Sequence, residues 1–300
     1  MSSALRMRHL EVLLAVAAAG SMQRAAHQVH LTQPAISKIV RELETMFGAT
    51  LFERSKRGVG LTECGRALVD RARYMLNDLE RTREEIAAIG KGVVGSLRIG
   101  VLPVVESGLL PTSLLSLRKI APALRIQIEE GTRPALIGSL RQGELDCVIG
   151  RLDVGPSEQD LQIVELVWLP VHLVTRSAHA LAGRRKVSLA DLVGRQWVLP
   201  RSGAPIRSVI DAMFVQAGLA PPLPLVESTS IRLNYELIRT SDMVGVMTAD
   251  AAAGYAAQRK LALLPINLES HLPAVGAIML PGRMSNAMGL YLRVLRESCG

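Results

Sequence analysis

Around Gly90-Lys91-Gly92 the hydrophobic spacing of this 300-residue chain changes, and the change divides what it can fold into. Residues 63 to 89 contain no proline and set Leu68, Ala72, Met75, Leu79, Ile86 and Ile89 in a four-three alternation in which Thr82 fills the one polar slot. That is a heptad seam, the pattern of a long helix paired with a second copy of itself. A single amphipathic helix packed on its own domain is the alternative. Past Gly92 the spacing predicts strands at 97–101, 124–129 and 145–149 with helices at 109–120 and 134–142 between them. An apolar block at 163–175 starts a second such run. It continues through Ser188-Leu189-Ala190-Asp191, which has capping-box form, to a strand at 196–199, a helix at 205–217 and strands near Leu225 and Val244. Strands alternating with helices imply parallel sheets with crossover connections, here as two small α/β lobes, and a cleft between lobes is the usual seat of a small ligand. The expected domains are a head at 1–62, a linker helix at 63–90 and a two-lobed unit at 91–300. Lobe I is expected over about 91–160 and 271–300, and lobe II over about 161–270.

The head reads as helices joined by short turns. Leu10, Leu13, Leu14 and Ala17 form one apolar face, Gly20 ends that helix, and Ser21 caps a short second one in which Ala25 and Ala26 permit close helix approach. Thr32 is a plausible N-cap and Pro34 sits in a first turn, where its missing N–H costs nothing. The helix that follows is expected to bury Ile36, Val40, Leu43 and Phe47 and to present Gln33, Ser37, Lys38 and Arg41. Residues 51–62 then read as two short strands around a basic turn holding Arg54, Lys56 and Arg57. Such a helix can enter a major groove. Gln33 can pair with adenine, Lys38 and Arg41 can reach guanine or phosphate, and Ser37 can sit against a base edge. Thr32 and the helix N-terminal amides suit a phosphate. The hairpin cations suit the DNA backbone or a narrow minor groove, so Lys56→Ala should weaken all sequences alike.

Charge concentrates where this reading needs it, with eight basic side chains against four acidic ones in residues 1–62 of a chain whose net charge is +8. Net charge alone does not choose between nucleic acid, a membrane surface and a small acid. Cys64, Cys147 and Cys299 are widely spaced, and the six histidines form no metal-spaced group, so neither a disulfide framework, a zinc site nor any cofactor is expected. No apolar run has membrane-span length. Arg6, Arg8 and the apolar run from Val12 to Ala19 imitate a short signal peptide, but His9 and Glu11 interrupt it, and a cytoplasmic location is the expectation. Gly90-Lys91-Gly92-Val93-Val94-Gly95 matches a dinucleotide fingerprint by letter, yet it follows a helix and opens a strand, the reverse of what the fingerprint needs. It reads as a joint, and an enzyme is not expected. A solute-binding receptor would account for the last 200 residues but not for the basic helical head.

The run Ala25-Ala26, Thr32-Gln33-Pro34-Ala35-Ile36-Ser37-Lys38, Leu43-Glu44, Gly48, Leu51-Phe52-Glu53-Arg54 and Leu61-Thr62, then Gly65, resembles the LysR-type transcriptional regulators closely over residues 5–66. From 90 to 300 the likeness rests on layout, with local echoes at Leu145-Asp146-Cys147-Val148-Ile149-Gly150 and His179-Ala180-Leu181-Ala182. The resemblance implies a winged helix-turn-helix, a dimerising linker helix and an effector domain of periplasmic-binding-protein type. It further implies a homotetramer on double-stranded promoter DNA, whose bend a small-molecule effector changes. An organic acid, aromatic in many relatives, is the expected effector, with sugars as the alternative. The loop Leu102-Pro103-Val104-Val105 is apolar where many relatives carry a hydroxyl, so the usual contact there is in doubt. Arg133, beside Thr132, and Arg201-Ser202-Gly203 before a helix are candidates for a carboxylate. Ser228, Thr229 and Thr248 are weaker ones.

Overall fold

The computed structural model describes residues 4–55, 58–89, 95–105, 108–153, 155, 158–266, 268, 272–282 and 284–299. The head consists of α1 (Met7–Ala19), α2 (Met22–Gln28) and α3 (Gln33–Phe47), followed by the antiparallel hairpin of β1 (Phe52–Ser55) and β2 (Gly58–Leu61). Its core joins Val12, Leu13 and Val16 of α1, Ala25 of α2 and Ile36, Val40 and Leu43 of α3. Phe47, expected among these, is 48% exposed, because it stands in the last turn of α3, beyond the reach of α1 and α2. Two short-range devices fix the hairpin. The Glu44 carboxylate accepts the N–H groups of Leu51 and Phe52 at 2.9 and 3.4 Å, tying the end of α3 to the first strand. Gly58, at φ 122°, brings its backbone against the Gly20 carbonyl, where a Cβ would stand 2.8 Å from the oxygen, and Val59 N–H donates to the same carbonyl. Only glycine adopts that φ without strain.

The linker α4 (Glu63–Ile89) is anchored at two places. Val69 and Ala72 complete the head core. Farther along, Asn77 donates to the Gln142 carbonyl at 2.8 Å, Arg81 pairs with Asp146 at 2.8 Å, and Glu84 pairs with Arg98 at 2.6 Å. Met75, Leu79 and Ile86 of the heptad seam remain exposed, Ile86 by 65%. The Ile89 side chain and the joint at 90–94 lie outside what the structure describes.

The first lobe is built from β3 (Ser96–Val101), α5 (Leu109–Ile120), β4 (Arg125–Glu130), α6 (Arg133–Arg141), β5 (Cys147–Arg151) and β6 (Gln162–Val167), and is rejoined near the C-terminus by β12 (Val275–Met279) and α10 (Asn286–Glu297). Its sheet order is β4-β3-β5-β12-β6, parallel from β4 through β5 and antiparallel at β12 and β6. The second lobe contains β7 (Val171–Arg176), β8 (Val198–Leu199), α7 (Pro205–Gln216), β9 (Val226–Glu227), α8 (Ile231–Thr240), β10 (Gly245–Thr248), α9 (Ala249–Ala257) and β11 (Leu261–Leu263). Its strands run β10-β7-β11, and a parallel bridge from Trp197 to Val244 attaches the β8-β9 pair to the β10 side.

The lobe boundary differs from the expectation of about 160. The apolar block at 163–175 is two strands in two different sheets. Pairing of Ile163 with Ile278 and of Val164 with Ala277 draws β6 into the first lobe, where Val164, Leu166 and Val167 pack on its core. The chain therefore crosses at Trp168-Leu169-Pro170 and returns after Leu272, which still belongs to the second core. No helix among the described residues is long and apolar enough to cross a membrane.

Candidate functional site

The first candidate surface is the outer face of α3. Burial of Ile36, Val40 and Leu43 turns Gln33, Pro34, Lys38 and Arg41 outward, with Ser37 half-buried among them. Thr32 occupies the N-cap in extended conformation with no side-chain cap bond, so its exposed hydroxyl is uncommitted. Gln33 Nε2 donates to Ser37 Oγ at 2.8 Å and Arg41 Nε donates to the Ser37 carbonyl at 3.2 Å. Gln33 Oε1 and the second amide hydrogen have no partner among the described residues, and they are the acceptor and donor pair an adenine edge requires. Behind this face Glu42 reaches Lys38 at 4.0 Å and the buried His9 Nε2 at 3.1 Å. His9 Nδ1 accepts the Arg6 N–H, so the proton sits on Nε2 and points at Glu42. Arg54 lies on β1, its side chain outside what the structure describes, and Lys56 and Arg57 lie outside the described residues.

The second is a cleft of about 310 Å³ between the lobes. Of the candidate effector contacts, Pro103, Arg133, Gly203, Ser228, Thr229 and Thr248 line it. Thr132, Arg201 and Ser202 do not, and all three are exposed elsewhere. Val104 lies in the short turn Pro103–Val105, and its side chain is outside the described residues. Most of the wall is apolar, with Leu102 on one side and Val171, Ile206, Ile231 and Met247 on the other.

Arg133 faces the cleft already paired. It donates to both Glu158 carboxylate oxygens at 2.6–3.2 Å and to the Arg151 carbonyl at 2.7 Å. Neutralised in this way, it is a poor partner for a second carboxylate. Arg151 is the residue that sequence reasoning missed. It ends β5, lines the cleft, and donates to the carbonyls of Leu169 at 2.6 Å and Pro273 at 2.9 Å, one on each chain crossing. No acidic side chain pairs with it among the described residues, and burial lowers its pKa to about 10. The signal available in sequence was an arginine directly after the buried strand motif ending Val148-Ile149-Gly150. Asn234 of α8 was missed as well; its amide donates to the Ser228 carbonyl at 3.2 Å.

A larger cavity, about 450 Å³, opens between α4 and the first lobe beside Arg81, Asp146 and the start of α10. It runs along the seam of the linker anchorage, with Tyr74, Asp78 and Arg81 of α4 on one side and the first lobe on the other. None of the three cysteines lines the inter-lobe cleft: Cys64 is exposed on α4, Cys147 is buried on β5 with its thiol pushed far up by burial, and Cys299 follows α10. No group of three or more metal-ligating side chains occurs among the described residues.

Comparison with known proteins agrees with this architecture. The family model described as the LysR substrate binding domain matches residues 90–300, and that of the bacterial regulatory helix-turn-helix protein, lysR family, matches residues 7–66. The HTH-type transcriptional regulator GalR of Pseudomonas putida is 30% identical over 285 residues, 95% of this chain and 72% of that protein. The DNA-binding transcriptional dual regulator OxyR of Escherichia coli is 34% identical over 214 residues, 71% of this chain and 70% of that protein. Among solved structures, full-length CbnR complexed with its target DNA superposes with a TM-score of 0.69 at 24% identity, covering 98% of this chain and 100% of that one, a likeness of fold. Helical head, linker helix and two-lobed cleft thus fall together with both family matches, and the chain belongs to the LysR family of bacterial transcriptional regulators, which are not enzymes.

Proposed function

We propose that this protein binds double-stranded promoter DNA with the outer face of α3 in the major groove and that a small organic acid in the inter-lobe cleft changes the geometry of that binding. The observation that carries the first half is the division of α3, whose apolar side is sealed in the head while Gln33, Lys38 and Arg41 stand in solvent. In this reading Gln33, Ser37 and Arg41 meet base edges, and Thr32 and Pro34 at the helix start, with Lys38, meet phosphate. Arg54, Lys56 and Arg57 follow the backbone or minor groove from the hairpin. The exposed Met75, Leu79 and Ile86 pair two linker helices, and pairing of dimers gives a homotetramer acting in the cytoplasm. The apolar wall and the basic side chains of the cleft support an organic, including aromatic, acid as effector.

Ligand binding couples to DNA only if it favours one lobe angle over another, with typical coupling of about 1–3 kcal/mol. The direct test is a mobility-shift titration of the full chain on its own promoter fragment and on random duplex across a salt series. A specific complex should form whose affinity falls steeply as salt rises through counterion release. A solute-binding receptor would give no complex, and that result would overturn the proposal. A thermal-shift screen of organic acids and sugars tests the effector half, since a ligand of the folded state raises the melting temperature by mass action.

A further inference from the structure

The two walls of the cleft carry complementary polar groups: a guanidinium with no carboxylate partner among the described residues on one, and unpaired buried oxygens on the other. On the first-lobe side stands Arg151, 6% exposed, with two of its N–H groups on the Leu169 and Pro273 carbonyls and, among the described residues, no carboxylate paired with it. Asp153, the acidic side chain among the lining residues, is exposed, and burial is what acts on the Arg151 guanidinium. On the second-lobe side stand Asn234, 8% exposed, and Thr248, 7% exposed. Asn234 Oδ1 and Thr248 Oγ1 are both buried without a hydrogen-bond partner. The Asn234 orientation is fixed by its amide donation to the Ser228 carbonyl, so the unpaired atom is an acceptor. Buried polar atoms are ordinarily paired, and two unpaired ones in one ligand-sized cleft wall mark what a ligand should bring: a hydrogen-bond donor at one end and a negative charge at the other, with an apolar body between.

We infer that the effector is a hydroxylated carboxylic acid that spans the cleft, its carboxylate at Arg151 and its hydroxyl at Asn234 and Thr248. This rests on the inter-lobe reading of the effector site given above and narrows it to a class. It also assigns Arg151 a second role. Because the same guanidinium holds both chain crossings, a carboxylate that draws on it acts on the hinge directly, and a hydroxyl anchored on the opposite lobe fixes the angle. Arg133, held by Glu158, stays a positioning residue for the Arg151 backbone.

The test is calorimetric titration of the full-length chain with benzoate, phenol, 3-hydroxybenzoate, 4-hydroxybenzoate and galactose. At least one hydroxybenzoate should bind about 10-fold or more tighter than both benzoate and phenol, since a site built to pair a hydroxyl discriminates against ligands lacking it. Thr248→Val and Asn234→Ala should each move the hydroxybenzoate-to-benzoate affinity ratio toward one. Arg151→Lys should lower the carboxylate-to-phenol ratio by about 10-fold, through loss of the forked charge-assisted contact. Should Arg151→Lys fail to fold by circular dichroism, the ligand series on the unmodified chain and the Thr248→Val arm decide alone. Equal affinity for benzoate and both hydroxybenzoates, or a hydroxyl advantage that survives in both second-lobe variants, overturns the spanning model while leaving an acid effector standing. Binding of galactose or phenol with no carboxylate bound, or no binding by any of the five, overturns the inference and the acid reading with it.

Discussion

The outer face of α3 and the wall of the inter-lobe cleft are both polar recognition surfaces, but they are assembled in opposite ways. On α3 four polar positions come from one helix within nine residues, and their free groups are local: Gln33 and Arg41 bond to Ser37 of the same helix and keep donors for a partner. In the cleft the groups come from β5, α6, α8 and the end of β10, and each is conditioned by something distant in sequence. Glu158 neutralises Arg133 from 25 residues away, and Pro273 holds Arg151 from 122 residues away. A surface made from one helix is readable and independent; a surface made by packing is neither, and its strongest-looking cation turns out to be occupied.

That contrast can be broken most directly at the head. Ile36→Ala removes a fully buried side chain from the core behind α3 and should destabilise the head by about 2–5 kcal/mol. Urea denaturation should show an earlier transition and promoter binding should fall, while ligand affinity in the cleft holds. Parallel loss of ligand affinity would show that the two regions are one cooperative unit. In the cleft, Glu158→Ala strips Arg133 of its bidentate partner and should cost about 1–3 kcal/mol, because a largely buried cation loses its compensation. It should also tighten binding of small carboxylates, since a second free guanidinium then faces the ligand. Unchanged carboxylate affinity would mean that Arg133 does not face a ligand even when freed.

On the DNA side, Gln33→Ala should cost roughly 1–3 kcal/mol at a single base pair, whereas Lys56→Ala should weaken specific and random duplex alike. Equal losses on both duplexes for Gln33→Ala would place that side chain outside base recognition. The smallest effect concerns pH. Burial holds the His179 imidazole below its ordinary pKa; the Asp242 carboxylate acts against this, and Arg195 and Arg176 act with burial. The unfolded chain then takes up a proton near pH 6.5 that the folded chain resists, so stability present above that pH declines below it. Denaturation at pH 7 and pH 5.5 should show a smaller loss for His179→Gln than for the unmodified chain.

Legibility follows the same division. The helical spacing located α3 and its polar face because periodicity is a property of one element. It misplaced Phe47, since the spacing of a helix says which side is apolar and not where the neighbouring helices stop. The block at 163–175 was visible as apolar, but the two sheets that share it are set by pairing with β12, over a hundred residues later. Among candidate ligand contacts, Gly203, Ser228 and Thr248 stand at the starts of helices or the ends of strands facing the gap, where loop chemistry is expressive. Arg201 and Ser202 share that loop yet are exposed and do not line the cleft, and nothing local distinguishes them from Gly203. Arg133 was visible, and its neutralisation by Glu158 was not.

The residue order by itself determined the helical head, the heptad helix, the alternation of strands and helices behind it and the chemistry offered by the exposed side of α3, because each is carried by spacing within a single element. Only the tertiary structure decided where the chain changes lobes, which arginine keeps an unpaired charge and which buried oxygens lack a partner. Those are sums over neighbours brought together from far along the chain, and a charge or hydrogen-bonding group is free or occupied only by virtue of what folding places beside it.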